Sequence, residues 1–142
     1  MRIICEINDE TIRKASAIVM KHYKDDDFLE KLIEVDSFNH THQSPIMVSF
    51  QLGNMPRSMT FTIKEYKSLN PFSKAIGYAK DGIIYFNSRK SGTILDRVET
   101  IYHEITHLCG YSHNGNRVNS YNLLSVPYLA SNIFKNYVKD FI

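Results

Sequence analysis

Residues Tyr102 to Asn116 read YHEITHLCGYSHNGN. Half of the chain's six histidines stand in this run, at His103, His107 and His113. Glu104 follows the first of them, and Gly110 lies between the second and the third. Upstream, SGTILDRVETIY begins with two residues able to cap a helix, Ser91 and Thr93. Ile94, Val98, Ile101, Ile105 and Leu108 then recur at intervals of three and four, the stripe of a helix with one face buried. His103 and His107 lie off that stripe, about 40° apart around the helix and one turn apart along it. Two imidazoles so placed can bind one ion from the same side. Gly110 admits a left-handed exit that other residues resist. Such a turn can bring His113 back beneath the first two as a third ligand.

Three imidazoles on a zinc ion leave coordination positions open, which separates a catalytic site from a closed structural one. One Zn2+ is therefore the expected cofactor, although other divalent ions suit the same ligands. Glu104, next to a ligand but pointing to its side, is placed to take a proton from water and pass it to a leaving group. The plain alternative is a set of solvent-facing helix residues with His113 in a polar loop. Five positions are specified, and by chance such a pattern arises in a chain of this size with a probability on the order of 10⁻⁵ to 10⁻⁴.

The pattern His103-Glu104-x-x-His107-x-x-Gly110-x-x-His113 resembles the zinc motif of the metzincin metallopeptidases. The resemblance extends upstream to AIGYAKDGIIYFN, similar to the antiparallel edge strand, turn and strand that precede the active-site helix in that family. It implies an α+β, zincin-like fold: a small mixed, twisted sheet with an antiparallel edge strand packed against an active-site helix and a C-terminal helix. It implies that His103, His107 and His113 bind zinc and that Glu104 is the general base. The edge strand, Ala75, Ile76, Gly77, Tyr78 and Ala79, would pair with an extended peptide or protein substrate; a purely structural hairpin is the other reading. The chain departs from the family downstream. All five methionines precede the helix, so no methionine can form the family's methionine turn. Ser125-Val126-Pro127-Tyr128 resembles a shortened form of it, in which Tyr128 donates a hydrogen bond to a developing oxyanion or simply packs the first turn of the last helix. Leu124 or Val126 is the alternative apolar floor.

The remaining chain is read as one domain over 1–142, with no repeat or linker. RIICEI is expected to be a strand, and Asp9 to Tyr23 a helix capped by Asn8. KDDD reads as an acidic turn before a short helix with Phe28, Leu32 and Val35 inward. Ile46 to Leu52 is expected to be a strand after Pro45, and SMTFTIKEY another, with Met59, Phe61 and Ile63 on one side. AIGYA and IIYFN flank Asp81-Gly82 as a hairpin. A last helix starts at Ser125 with Pro127 in its first turn and turns Val126, Ala130, Ile133, Tyr137, Val138 and Phe141 inward.

A net charge of +2 is far from that of a dedicated nucleic-acid binder. The short apolar start is interrupted by Glu6 and Asp9, and no run reaches spanning length, so no membrane partner and a cytoplasmic location are expected. Cys5 and Cys109 read as reduced, buried thiols. His40 and His42 read as loop residues or a second metal pair, His22 as a complement to its helix's negative end, and Asn114 as a support for His113. Two other functions compete with a peptidase. HLCGYSH is similar to the motif of bacterial rRNA-maturation endonucleases, which usually lack the glutamate found here as Glu104. A zinc- or peptide-binding module without activity is the third.

Overall fold

The computed structural model describes residues 1–115 and 118–142; Asn116, the last residue of the Asn-Gly-Asn turn signal, lies outside them. The chain runs β1 (Arg2–Cys5), α1 (Glu10–His22), α2 (Asp26–Ile33), α3 (Pro45–Gly53), β2 (Thr60–Tyr66), β3 (Gly77–Lys80), β4 (Ile83–Asn87) and α4 (Ile94–Leu108). A π-type turn over Val126–Ala130 leads into α5 (Ser131–Val138). The result is an α+β molecule with a small mixed sheet in the order β1-β2-β4-β3. β1 and β4 flank β2 in parallel, and β3 pairs antiparallel with β4 at the margin.

Strand alternation sets which face is buried. Ile3, Phe61, Ile63, Ile84 and Phe86 turn inward beneath the helices, while Thr60, Tyr78 and Lys80 stay exposed. The β3–β4 hairpin closes on Asp81 at φ 53° and Gly82 at φ 77°. Two successive left-handed residues are what a tight hairpin turn with right-twisted strands requires.

Three boundaries differ from the sequence reading. Asp9, not Asn8, caps α1, its Oδ1 accepting from Ile12 N at 3.0 Å. Asp26 and Asp27 form the first turn of α2 rather than a free turn, where their charges meet the positive end of the helix. Ile46 to Leu52 is not a strand: it belongs to α3. A short apolar run has no decisive period. Here Ser44 accepts from Met47 N and Pro45 occupies the first turn, both features of a helix start. The inward residues Val48 and Leu52 are four apart, leaving Ile46, Met47 and Phe50 to solvent. A Cβ on Gly53 would lie 2.6 Å from Leu29 Cδ1, so any larger residue there would have to displace the Leu29 side chain of α2.

α4 starts as expected at Thr93 and carries a full capping box: Thr93 Oγ1 accepts from Asp96 N, and the Asp96 carboxylate accepts from Thr93 N. Val98, Ile101 and Ile105 are fully buried. Tyr102 is buried too, stacked on Phe134 at 4.5 Å and edge-on to Phe28 at 5.5 Å, which ties α4 to α5 and α2. Phe134 and Val138 are the main inward residues of α5, whereas Phe141 is largely exposed. Phe141 instead stacks on His22, whose Nδ1 meets Asp25 Oδ2 at 2.7 Å. Among the described residues, no helix is long and apolar enough to cross a membrane.

Candidate metal centre

α4 presents His103 and His107 on its half-buried flank. Beyond Cys109, Gly110 takes φ 99°, and the chain folds back so that His113 meets them. A Cβ at Gly110 would touch nothing within 4 Å, so backbone conformation alone, not space, calls for glycine there. The three Nε2 atoms form a nearly equilateral triangle, 3.2 Å between His103 and His107, 3.2 Å between His103 and His113, and 3.1 Å between His107 and His113.

The opposite nitrogens explain what that triangle is. His107 Nδ1 meets Tyr111 O at 2.9 Å, His113 Nδ1 meets Gly115 O at 2.7 Å, and His103 bonds the backbone of Pro127, which offers only a carbonyl. A carbonyl cannot donate, so Nδ1 of His107 and of His113 must carry the proton in these bonds. Their Nε2 atoms are then bare lone pairs in neutral rings. Burial pushes the His103 pKa down to about 3, aided by His107 and His113, and lowers those of His107 and His113 as well. Lone pairs converging at this distance repel one another unless a cation lies between them. A tetrahedral zinc with bonds of about 2.0–2.1 Å needs ligand nitrogens about 3.3 Å apart, close to the spacing seen. The residues fit a metal ion, held from one side.

Glu104 is buried beside this triangle, and burial raises its pKa to about 7. Tyr128 stands beside two of the three histidines, its ring centroid 4.6 Å from those of His103 and His113. Burial and, after it, the Glu104 carboxylate raise the Tyr128 pKa, which puts the phenol within electrostatic reach of that carboxylate. The Ser125–Tyr128 stretch supplies the Pro127 carbonyl to His103 and Tyr128 to the rim, with Val126 buried and Leu124 half-exposed. The expected edge strand is a sheet margin, but it spans Gly77–Lys80. Ala75 and Ile76 precede it: Ala75 O accepts from the Asn87 side chain through Nδ2, while Ile76 O accepts from Asn87 N, one further backbone bond to the end of β4. Gly77 is required in the strand, since a Cβ would lie 2.6 Å from Tyr85 O.

Several supporting residues carry no spacing signal. Asn122 is buried and bridges the loop of the third ligand, its Nδ2 donating to Asn114 O at 2.7 Å and its Oδ1 accepting from Asn114 N at 3.2 Å. His40, held at φ 63°, meets the same Oδ1 at 2.9 Å. Tyr111, whose carbonyl holds His107, anchors its hydroxyl on Gln43 and Gln51 of the α3 region at 2.7 and 2.5 Å. The carbonyl that orients His113 is that of Gly115 rather than a group of Asn114. Cys109, its pKa raised to about 11 by burial, lies 3.5 Å from Met55 Sδ and is an inert thiol.

Compared with known protein families, curated proteins and solved structures, the chain matches none.

Proposed function

We propose that the protein is a zinc-dependent peptidase of metzincin-like design, in which His103, His107 and His113 hold a single zinc ion. The observation that carries this reading is the triangle of converging Nε2 atoms, with carbonyls on Nδ1 of His107 and of His113. Zinc bound there supplies a Lewis acid that polarises a carbonyl and makes water a nucleophile near neutral pH.

The chain's own groups divide the rest of the work. Glu104 accepts the proton released by the attacking water and returns it to the leaving amine; a carboxylate whose pKa sits near neutrality suits both transfers. The Tyr128 hydroxyl, beside two ligands, donates a hydrogen bond to the carbonyl oxygen as negative charge grows on it. β3 lies at the sheet margin against α4 and offers backbone groups to an extended peptide. The Ser125–Tyr128 stretch takes the place of a methionine turn, supporting the ligands through the Pro127 carbonyl instead of a thioether.

Glu104→Ala is expected to keep its zinc, measured by elemental analysis after dialysis, and to lose at least about 10²-fold in peptide-library turnover. Cleavage of an RNA substrate without cleavage of any peptide would reassign the site to a nuclease. Tight peptide binding with no products from the native chain would leave a binding module.

A further inference from the structure

We propose that the loop joining β2 to β3, residues 67–76, is a docking surface for an anionic lipid bilayer. Its tip exposes Leu69 completely, at 101%, and Phe72 at 86%, with Ile76 half-exposed behind them. These side chains do not stand out because the loop is slack. Its base is clamped by Asn87, itself buried, whose Nδ2 donates to Ala75 O at 2.9 Å and to Ser68 Oγ at 3.2 Å. Within the loop, Phe72 N donates to Asn70 Oδ1, Ser73 N to Asn70 O, and Ser68 Oγ to Asn70 O. Ser68 and Asn70 thus satisfy part of the tip's polar groups from inside, which lowers the cost of moving it out of water.

The charge around the tip has one sign. Lys67 and Lys74 lie in the loop, and Arg89 joins it through Nε to Ser68 O at 2.8 Å, with Lys90 next in the chain. Positions 66–80 and 82–95 contain no acidic residue. Among the described residues, none of these four cations forms an ion pair. Apolar tips flanked along the chain by unpaired cations match hydrocarbon beneath anionic headgroups, and the two contributions together are what reversible membrane docking requires. A protruding tip has no groove to receive a protein segment. The expectation of no membrane partner came from the absence of a spanning run, a criterion that a loop of this kind does not meet.

The test is co-sedimentation of the full chain with phosphatidylcholine vesicles and with equimolar phosphatidylcholine–phosphatidylserine vesicles. Partitioning to the anionic vesicles is expected to exceed the neutral ones by at least about tenfold and to fall with salt. Leu69→Ser/Phe72→Ser and Lys67→Glu/Lys74→Glu should each lose at least about tenfold, while Lys14→Glu/Lys21→Glu on α1 should lose far less. The chain has no tryptophan, so Phe72→Trp gives a single reporter that keeps the tip apolar. Its emission should shift to the blue on anionic vesicles. Equal partitioning, loop variants that bind like the native chain, or an unshifted emission would each overturn the proposal. So would capture of a single-stranded RNA probe, lost in the loop variants, by a chain that ignores vesicles.

Discussion

At the residue scale, the decisive atoms are not the ligand nitrogens alone but the carbonyls behind them. The Tyr111 and Gly115 carbonyls fix His107 and His113 as the tautomer with its lone pair toward the common centre, and His103 bonds the backbone of Pro127. His103, His107, Glu104 and Gly110 were legible in the sequence because helix geometry converts spacing into position. The carbonyls were not, since every residue has one. Asn122 was equally invisible. Its partners include His40, far away in the chain, and the backbone of Asn114. Because it holds the loop that carries His113, Asn122→Ala is expected to weaken zinc retention by about 10- to 100-fold while leaving the helical content intact. Competition with a chromophoric chelator, beside circular dichroism, measures both.

At the element scale, α4 was readable from end to end because its start, its stripe and its exit each have a local chemical cause. α3 was not. An apolar run from Ile46 to Leu52 satisfies a buried strand and a helix alike, and Ser44-Pro45 was the signal that should have arbitrated. The helix matters to the site, since Gln51 on α3 anchors the Tyr111 hydroxyl. The capping box on α4 makes its own prediction. Thr93→Ala removes the side-chain cap and is expected to cost about 1 kcal/mol in denaturant unfolding. The two hydrogen bonds from Thr93, with Lys135 adding its charge, hold the Asp96 carboxyl below its ordinary pKa. A lowered native pKa means stability that is present above the unfolded-state value and fades as pH falls through the native one. Asp96→Asn is therefore expected to flatten the acid limb of the stability–pH curve. An unchanged acid limb would show that the cap carries no linked proton.

At the scale of the whole molecule, strand and helix periods gave the individual elements and the resemblance implied the α+β class, but neither gave the order β1-β2-β4-β3. Which strands become neighbours depends on how helices cover one sheet face, a non-local outcome that no single segment encodes. The aromatic contact of Tyr102 with Phe28 and Phe134 is a second such outcome. It leaves the Tyr102 hydroxyl buried without a hydrogen-bond partner among the described residues. Removing an unpaired buried hydroxyl while keeping the ring relieves a desolvation cost, so Tyr102→Phe is expected to raise stability by about 1 kcal/mol and to raise Tm.

The account as a whole depends on a cation at the centre of three imidazoles. X-ray absorption at the zinc edge, on the full chain loaded with one equivalent of zinc, examines that directly. The account predicts three nitrogen scatterers at about 2.0–2.1 Å with the outer-shell pattern of imidazole rings, lost when His113 is replaced by Ala. Zinc scattering dominated by sulfur or carboxylate oxygen, or a spectrum unchanged by that substitution, would contradict it.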